Sequence, residues 1–181
     1  GTKPEFPVQS YFRLNAKGAG QVEHTLIIVE DGADLHFIEG CSAPKYNVAN
    51  LHAGAVELFV GKNAHLRYST IENWSKNMYN LNTKRSTCDE GGSIEWVSGS
   101  FGSHVGYLYP MSILAGRKST CTFTGITFAG TGQNLDTGCK VVLAAPETSA
   151  SIETKSISKG GGVSTFRSSV VATPKAENSA C

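Results

Sequence analysis

The sequence predicts an all-β fold, a single parallel β-solenoid, for this chain of 181 residues. Apolar and polar residues alternate along almost every apolar stretch, as with Leu35 and Phe37 between Asp34 and His36, which is typical of strands with one apolar face. No stretch of ten or more residues has the period of an amphipathic helix. A similar segment also recurs about every 29 residues, a repeat length typical of stacked architectures.

The recurring segment joins an apolar run ending in Val, a short polar turn and the pattern Ala-x-Leu-x-aromatic, as in residues 29–39 and 60–70. Its step is too long for one hairpin, but it lets each strand return parallel to its predecessor, as in one solenoid coil. The positions expected to stack on one another are Leu35, Leu66, Ile94, Cys121 and Ile152, in steps of 31, 28, 27 and 31 residues. The small residues expected at crowded corners are Ala33, Ala64, Ser119 and Ala150. A β-sandwich built from hairpins is the alternative.

Composition and charge argue against several classes of function. With 16 Lys and Arg against 15 Asp and Glu, the net charge of +1 lacks the footprint of a nucleic-acid or anionic-membrane binder. The five cysteines are odd in number and include no CxxC, which argues against a secreted disulfide framework. No signal-peptide pattern is visible at the N-terminus. We therefore expect a cytoplasmic protein. The chain begins without Met and stops at Cys181, directly after the polar segment PKAENSA, so we also expect it to be a fragment of a longer chain.

The cysteines are the first candidates for chemistry. Cys41, in FIEGCSAP at the edge of a coil, is either a small buried hydrophobic residue or a thiol able to take up sulfur or bind a soft metal. Cys121 and Cys139 lie in the middle of predicted strands and are expected to fill the core. Cys88 precedes two acidic residues, which would raise its pKa. Cys181 is terminal and carries no assignment.

Other motifs are weak or absent. The histidines have no metal-ligand spacing, although His36 and His65 occupy nearly equivalent positions on successive coils, as a solvated stripe or as stacked ligands. There is no GxSxG, no P-loop, and no GxGxxG after a strand. No carboxylate pair supports a carbohydrate-active solenoid. From the residues alone, the sequence predicts a solenoid with free thiols whose role stays open.

The motifs taken together resemble the SufB/SufD family of scaffolds in the Suf iron–sulfur cluster assembly machinery, and within it the SufB type. The resemblance covers essentially the whole chain, and the segments that carry it, in order, are SYFRLN, HTLIIVEDGADLHFIEGCSAP, LHAGAVELFV, YSTIENW, NTKR, QNLDTGCK, SISKGGGVSTFRS and PKAEN. It implies a right-handed parallel β-helix in a cytoplasmic complex. The chain would then be the β-helix core domain over residues 1–181, truncated at both ends and lacking the C-terminal helical segment that binds SufC.

The resemblance also implies partners and a role. The partners would be SufD or a second SufB through the β-helix, the ATPase SufC, and a cysteine desulfurase or sulfur carrier, with no nucleic acid and no membrane. The role would be that of a scaffold, not an enzyme, that accepts persulfide sulfur and passes it through the β-helix interior. A transient iron–sulfur cluster would form in the full-length complex, on a cysteine downstream of Cys181, and no metal is expected within this chain. The alternative is a structural dimerisation module without sulfur chemistry.

Position by position, the resemblance implies a sulfur acceptor and a polar interior path. The residues that match it are Cys41 as the acceptor and Arg13, Asn15, Glu72, Trp74 and Lys84 along the path. Buried cations at Arg13 and Lys84 would stabilise an anionic persulfide and lower the thiol pKa. Glu72 replaces a Gln found in many relatives, and its charge would oppose anionic sulfur unless Glu72 is protonated or points outward.

Overall fold

A computed structural model describes all residues from Gly1 to Cys181. The chain forms thirteen β-strands and no α-helix, so it contains no helix that could span a membrane. The strands are β1 (Val8–Arg13), β2 (Gly20–Val29), β3 (Asp34–Ser42), β4 (Asn50–Val60), β5 (His65–Asn73), β6 (Met78–Cys88), β7 (Ser93–Ser100), β8 (Val105–Leu108), β9 (Met111–Leu114), β10 (Thr120–Ala129), β11 (Asn134–Leu143), β12 (Ser149–Ser158) and β13 (Val163–Ala172).

The strands form two parallel sheets that wind as a solenoid of about six coils. One sheet has the order β1-β3-β5-β7-β10-β12 and the other β13-β11-β8-β6-β4-β2, with β9 also pairing β11 and β6. Each coil therefore contributes to both sheets, and every strand pairs in parallel with the equivalent strand of the next coil. Pro110, which has no backbone N–H for the ladder, separates β8 from β9. The predicted solenoid is confirmed, and the hairpin sandwich is excluded.

The register confirms most of the predicted stacking and corrects its last step. Leu35, Leu66, Ile94 and Cys121 are successive Cα partners. The next partner is Ala150, whereas Ile152 pairs with Phe123, so the marker at Ile152 was wrong by two residues. Because Ala150 is the partner of Cys121, it does not occupy the corner position that was predicted for it. The reason is physical: a slip of two residues keeps both side chains on the inward face, so alternation cannot detect it.

His36 and His65, which were predicted to occupy nearly equivalent positions on successive coils, are two positions apart in the observed register. His36 is the partner of Arg67, and His65 is the partner of Asp34, so the two imidazoles do not stack. His65 Nδ1 instead lies 3.0 Å from Asp34 Oδ1. No group of three or more His, Cys, Asp or Glu side chains in the structure is arranged to hold a metal ion.

The interior is apolar on one side and polar on the other. The apolar side is a cluster of 17 buried residues, in which Tyr68 lies between Phe37 and Trp96 with ring centroids 5.5 Å from each. Cys121 and Cys139 belong to this cluster, as predicted, and so does Cys88. Burial, and to a smaller extent Cys121 and Asp89, raise the pKa of Cys88. The polar side lies where the strands of the first sheet end and those of the second begin.

Candidate functional site

The polar interior is built by an unusual strand. Along β6, the inward-facing side chains of Asn80, Asn82 and Lys84 are buried, whereas the apolar Leu81 between them is 42% exposed. In β4, Gly54 leaves room for this row, since a Cβ there would lie 2.7 Å from Asn82 Oδ1. A strand that turns its polar face inward needs partners for every polar atom, because an unpaired buried group is costly.

The first sheet supplies one set of partners, centred on a buried ion pair. Lys84 Nζ donates to Glu39 Oε1 and to Thr70 Oγ1, each at 2.9 Å, and both charged side chains are 3% exposed. The Tyr68 hydroxyl donates to the other Glu39 oxygen, and Lys84 Nζ lies 5.0 Å from the Tyr68 ring centroid. Thus β3, β5 and β6 meet at one ion pair.

The charge of each ionised group stabilises the charge of the other against the cost of burial. Burial alone raises the pKa of Glu39, but the charge of Lys84 and the hydrogen bonds from Tyr68 and Lys84 outweigh it and lower the pKa. Burial alone lowers the pKa of Lys84, but the nearby carboxylates Glu39 and Glu72 outweigh it and raise the pKa. At neutral pH the pair is therefore a carboxylate and an ammonium.

A second polar group lies beside the ion pair. Glu72 points into the interior, where its two oxygens accept from Asn80 Nδ2 at 2.9 Å and Asn82 Nδ2 at 2.6 Å. His52 bridges Asn80 Oδ1 at 2.8 Å and Glu23 Oε1 at 3.1 Å. Burial raises the pKa of Glu72 despite the opposing charge of Lys84. Glu72 therefore points inward, so the predicted outward orientation is wrong, and its raised pKa makes it easier to protonate than an ordinary glutamate.

Cys41 lies at the boundary between this polar interior and a small apolar cluster. It is 2% exposed, and its thiol donates to Glu39 Oε1 across 3.8 Å. Its apolar neighbours are the buried residues of the second cluster, namely Leu14, Trp74 and Met78. Burial, followed by the charges of Glu39 and Glu72, raises the pKa of Cys41, and Lys84 offsets only part of this. Lys84 therefore lowers this pKa as predicted but is outweighed, and Arg13 is not among the groups that act on the thiol.

The structure brings together four of the six residues predicted for the sulfur path. Cys41, Glu72 and Lys84 face the interior, and Trp74 is 3% exposed with its ring 4.6 Å from that of His52. The Nε1 atom of Trp74 is buried and has no hydrogen-bond partner.

Arg13 and Asn15 are not in this interior, which corrects their predicted placement. Both are exposed, and Arg13 Nε donates to Asn15 Oδ1 at 2.8 Å. The cause is alternation at the end of β1. Leu14 turns inward and is 7% exposed, so its two neighbours turn outward.

Sequence reasoning missed several members of the cluster, although the pattern held a signal for some of them. Polar residues at every second position from Asn80 to Ser86 mark one polar face of a strand. Glu39 is two residues before Cys41 and therefore shares its face. The residues that were missed are Glu23, Glu39, His52, Tyr68, Thr70, Asn80 and Asn82.

The polar interior is closely packed. The cavity beside Glu72 and Asn80 has a volume of about 10 Å³, room for about one water molecule. Binding pockets for small organic molecules are usually about 300–1,000 Å³. The cavity beside Glu72 therefore has no room for a small organic substrate.

These features define a class: a parallel β-solenoid that encloses a cluster of ionisable side chains beside one thiol. The chain belongs to the SufBD core family, since the family described as "SUF system FeS cluster assembly, SufBD core domain" matches residues 12–181. It is 46% identical over 177 residues to the iron-sulfur cluster assembly protein SufB of Bacillus subtilis (strain 168), covering 98% of this chain and 38% of that protein. It is 48% identical over 165 residues to an iron-sulfur cluster assembly SufBD family protein of Staphylococcus aureus (strain MRSA252), covering 91% of this chain and 36% of that protein. The chain thus spans little more than a third of the length of these relatives.

Replacing Glu72 by Gln is expected to change the stability of the protein in a pH-dependent way that favours the variant more at neutral pH than at acidic pH. Because the pKa of Glu72 is raised on folding, its ionisation opposes folding increasingly as pH rises above the ordinary value of 4.5. Glutamine does not titrate, so the free energy of unfolding of Glu72→Gln, relative to the wild type, should rise between pH 4.5 and pH 7.5. Urea unfolding at the two pH values measures this.

The matched control for this substitution is Glu153→Gln, since the Glu153 side chain is 64% exposed and should show no such pH-dependent gain. A Glu72→Gln protein that is less stable than the wild type by the same margin at both pH values would contradict the expectation.

Proposed function

We propose that this chain is the β-solenoid core of an iron–sulfur cluster assembly scaffold, in which Cys41 accepts sulfur as a persulfide. The position of Cys41 carries the proposal, because it is the thiol that contacts the polar interior. Cys88, Cys121 and Cys139 belong to the apolar cluster, and Cys181 is exposed at the end of the chain. The scaffold is not itself an enzyme, and the ATPase and desulfurase activities belong to partner proteins.

The proposed transfer needs no net oxidation. The Cys41 sulfur, after losing its proton, attacks the terminal sulfur of a donor persulfide and forms a new S–S bond. The S–S bond of the donor breaks, and its electron pair leaves with the donor thiolate, which takes up a proton. The persulfide on Cys41 carries the transferred sulfur beside Lys84, the buried cation nearest to it, and the interior passes that sulfur on.

Sulfur entry requires a local opening, since Cys41 is 2% exposed. Phe12 is the Cα partner of Cys41, so the exposed Arg13 is one position away on the neighbouring strand. We propose that Arg13 and Asn15 act at this entrance, where a cation attracts an anionic persulfide. Trp74 and Glu72 would then line the way inward.

The proposal also covers the partners of the complete protein. We propose that the solenoid pairs with SufD or a second SufB. Exposed apolar residues on the edge strands β12 and β13 support pairing there, namely Ile157, Val163 and Val171. SufC would bind segments outside residues 1–181, the sulfur would come from a cysteine desulfurase or its carrier, and the complex would work in the cytoplasm. The transient cluster is the cargo of this complex.

A persulfide assay tests the role of Cys41. The full-length protein is incubated with a cysteine desulfurase and cysteine, and the peptide containing Cys41 is expected to gain the mass of one sulfur atom. Cys41→Ser should abolish this gain, because serine cannot form a persulfide. The control Cys139→Ser, which removes a buried thiol from the apolar cluster, should leave it unchanged. Equal sulfur uptake by the wild type and Cys41→Ser would remove Cys41 from the mechanism.

A further inference from the structure

Two buried N–H groups near Cys41 have no hydrogen-bond partner. They are Asn50 Nδ2 and Trp74 Nε1, and each of the two residues is 3% exposed. Almost all buried polar groups in folded proteins are paired, because an unpaired one costs free energy. Two unpaired donors around one thiol therefore indicate a place for an acceptor atom.

Both donors belong to the surroundings of the Cys41 thiol. Trp74 packs in the same small apolar cluster as Cys41. Asn50 is the Cα partner of Met78, another member of that cluster. Asn50 Oδ1 accepts from the backbone N–H of Ala19 at 3.1 Å, and Ala19 also packs against the cluster. This bond orients the Asn50 amide, so its Nδ2 group is the end that lacks a partner.

The unpaired donors outnumber the unpaired acceptors at this corner of the solenoid. Two further buried side-chain atoms lack a partner, namely Gln21 Oε1 and Ser75 Oγ. Asn50 Nδ2 and Trp74 Nε1 can only donate, the Ser75 hydroxyl can do both, and a single amide oxygen can only accept. An acceptor that enters here therefore meets more donors than the protein itself can satisfy.

We propose that Asn50 and Trp74 donate to the outer sulfur of a persulfide on Cys41, and hold it on the entrance side of the thiol before it passes to Lys84. An S–S bond places the outer sulfur about 2 Å beyond Sγ, so it extends past the reach of the thiol itself. Sulfur accepts weakly when neutral and more strongly when ionised, so both donors act on either form. This inference deepens the proposed acceptor role of Cys41 and rests on it.

The charges around Cys41 favour this side of the thiol. Glu39 and Glu72 act on it from the polar interior, and both oppose a negative charge on sulfur. The other side is the small apolar cluster, which contains Leu14, next to Arg13 at the proposed entrance. Neutral N–H donors on that side stabilise an electron-rich sulfur without a further buried ion, whose desolvation would be costly.

The indole N–H resonances test this contact. The full-length protein, labelled with ¹⁵N-tryptophan, is compared by NMR before and after persulfide formation with a cysteine desulfurase and cysteine. The Trp74 indole proton should move downfield, because it gains an acceptor. Trp96 is the internal reference, since its Nε1 already donates to Ser112 Oγ at 2.8 Å, and its resonance should stay in place.

This measurement separates the inference from the proposed function. A Trp74 resonance that does not move while mass spectrometry shows sulfur on Cys41 would overturn the inference alone. The same result would follow if a buried water already occupied both donors. Absence of sulfur on Cys41 in the wild type would overturn the acceptor role and this inference together.

Trp74→Phe tests the N–H group while keeping an aromatic ring. Because this N–H has no partner in the unmodified protein, the variant should be as stable as the wild type. Its Cys41 persulfide should nevertheless be lost to dithiothreitol roughly three- to tenfold faster, as expected for one lost hydrogen bond. Asn50→Leu should have the same effect on the persulfide.

Trp96→Phe is the matched control, since it removes a buried indole N–H that does have a partner. It should lower stability and leave the lifetime of the persulfide unchanged. A persulfide in Trp74→Phe that lasts as long as in the wild type, or one that is shortened equally in Trp96→Phe, would contradict the proposal. If Trp74→Phe does not fold, the NMR comparison on the wild type decides.

Discussion

Replacing Lys84 by Met is expected to lower the free energy of unfolding by roughly 3–5 kcal/mol at pH 7, because it leaves Glu39 as a buried charge without a partner. The side chains of Lys84 and Glu39 are each 3% exposed, so solvent cannot replace the lost ammonium. Urea or guanidinium unfolding followed by far-UV circular dichroism measures the loss. Methionine has nearly the length of lysine, so the substitution changes the charge more than the packing.

The loss should depend on pH in a defined direction. In the wild type the pKa of Glu39 is lowered, so its contribution to stability is present above the ordinary value of 4.5 and is lost as pH falls through the folded value. Without Lys84, burial raises that pKa, and the penalty grows as pH rises above 4.5. The Lys84→Met protein should therefore approach the wild type at pH 4 and differ most above pH 6.

Two comparisons separate the effect of the unpaired charge on Glu39 from the effect of packing around Lys84. The double variant Glu39→Gln, Lys84→Met removes both charges and should recover most of the lost stability. The exposed pair Lys155 and Glu153, with Nζ and Oε1 3.0 Å apart, gives the surface reference, and Lys155→Met should change stability by less than about 1 kcal/mol. A double variant as unstable as Lys84→Met would show that packing around Lys84, and not the unpaired carboxylate, explains the loss.

The sequence predicts the solenoid because its two signals are local. Alternation shows which residues share a face, and the repeated step shows that strands return in parallel. Neither signal distinguishes a register from one displaced by two residues, which is why Ile152 was placed where Ala150 lies and why His36 was aligned with His65. Register depends on the length of each turn, and the turns differ from coil to coil.

The ionisation states of the site residues could not be predicted from the sequence for a related reason. Glu39 and Lys84 are 45 positions apart, and only the winding of the chain through β3, β5 and β6 brings them together. The pKa of Cys41 is raised first by burial and then by the carboxylates Glu39 and Glu72, which together outweigh the charge of Lys84. Arg13 and Asn15 are a different case, because their alternation with Leu14 already indicates that they face away from Leu14, whichever side is buried.

The second large effect is expected at Tyr68, which joins the aromatic stack to the ion pair. Tyr68 is 0% exposed, so Tyr68→Ala should cost about 3–5 kcal/mol of unfolding free energy through the cavity between Phe37 and Trp96. Tyr68→Phe keeps the ring and removes the hydroxyl that donates to Glu39, which should cost about 1–3 kcal/mol. Chemical unfolding of both variants separates packing from hydrogen bonding.

The exposed Tyr107, on the outer face of β8, provides the control, and Tyr107→Ala should change stability by no more than about 0.5 kcal/mol. A loss of stability in Tyr68→Phe as large as that in Tyr68→Ala would show that the hydrogen bond to Glu39, and not the aromatic stack, accounts for the effect.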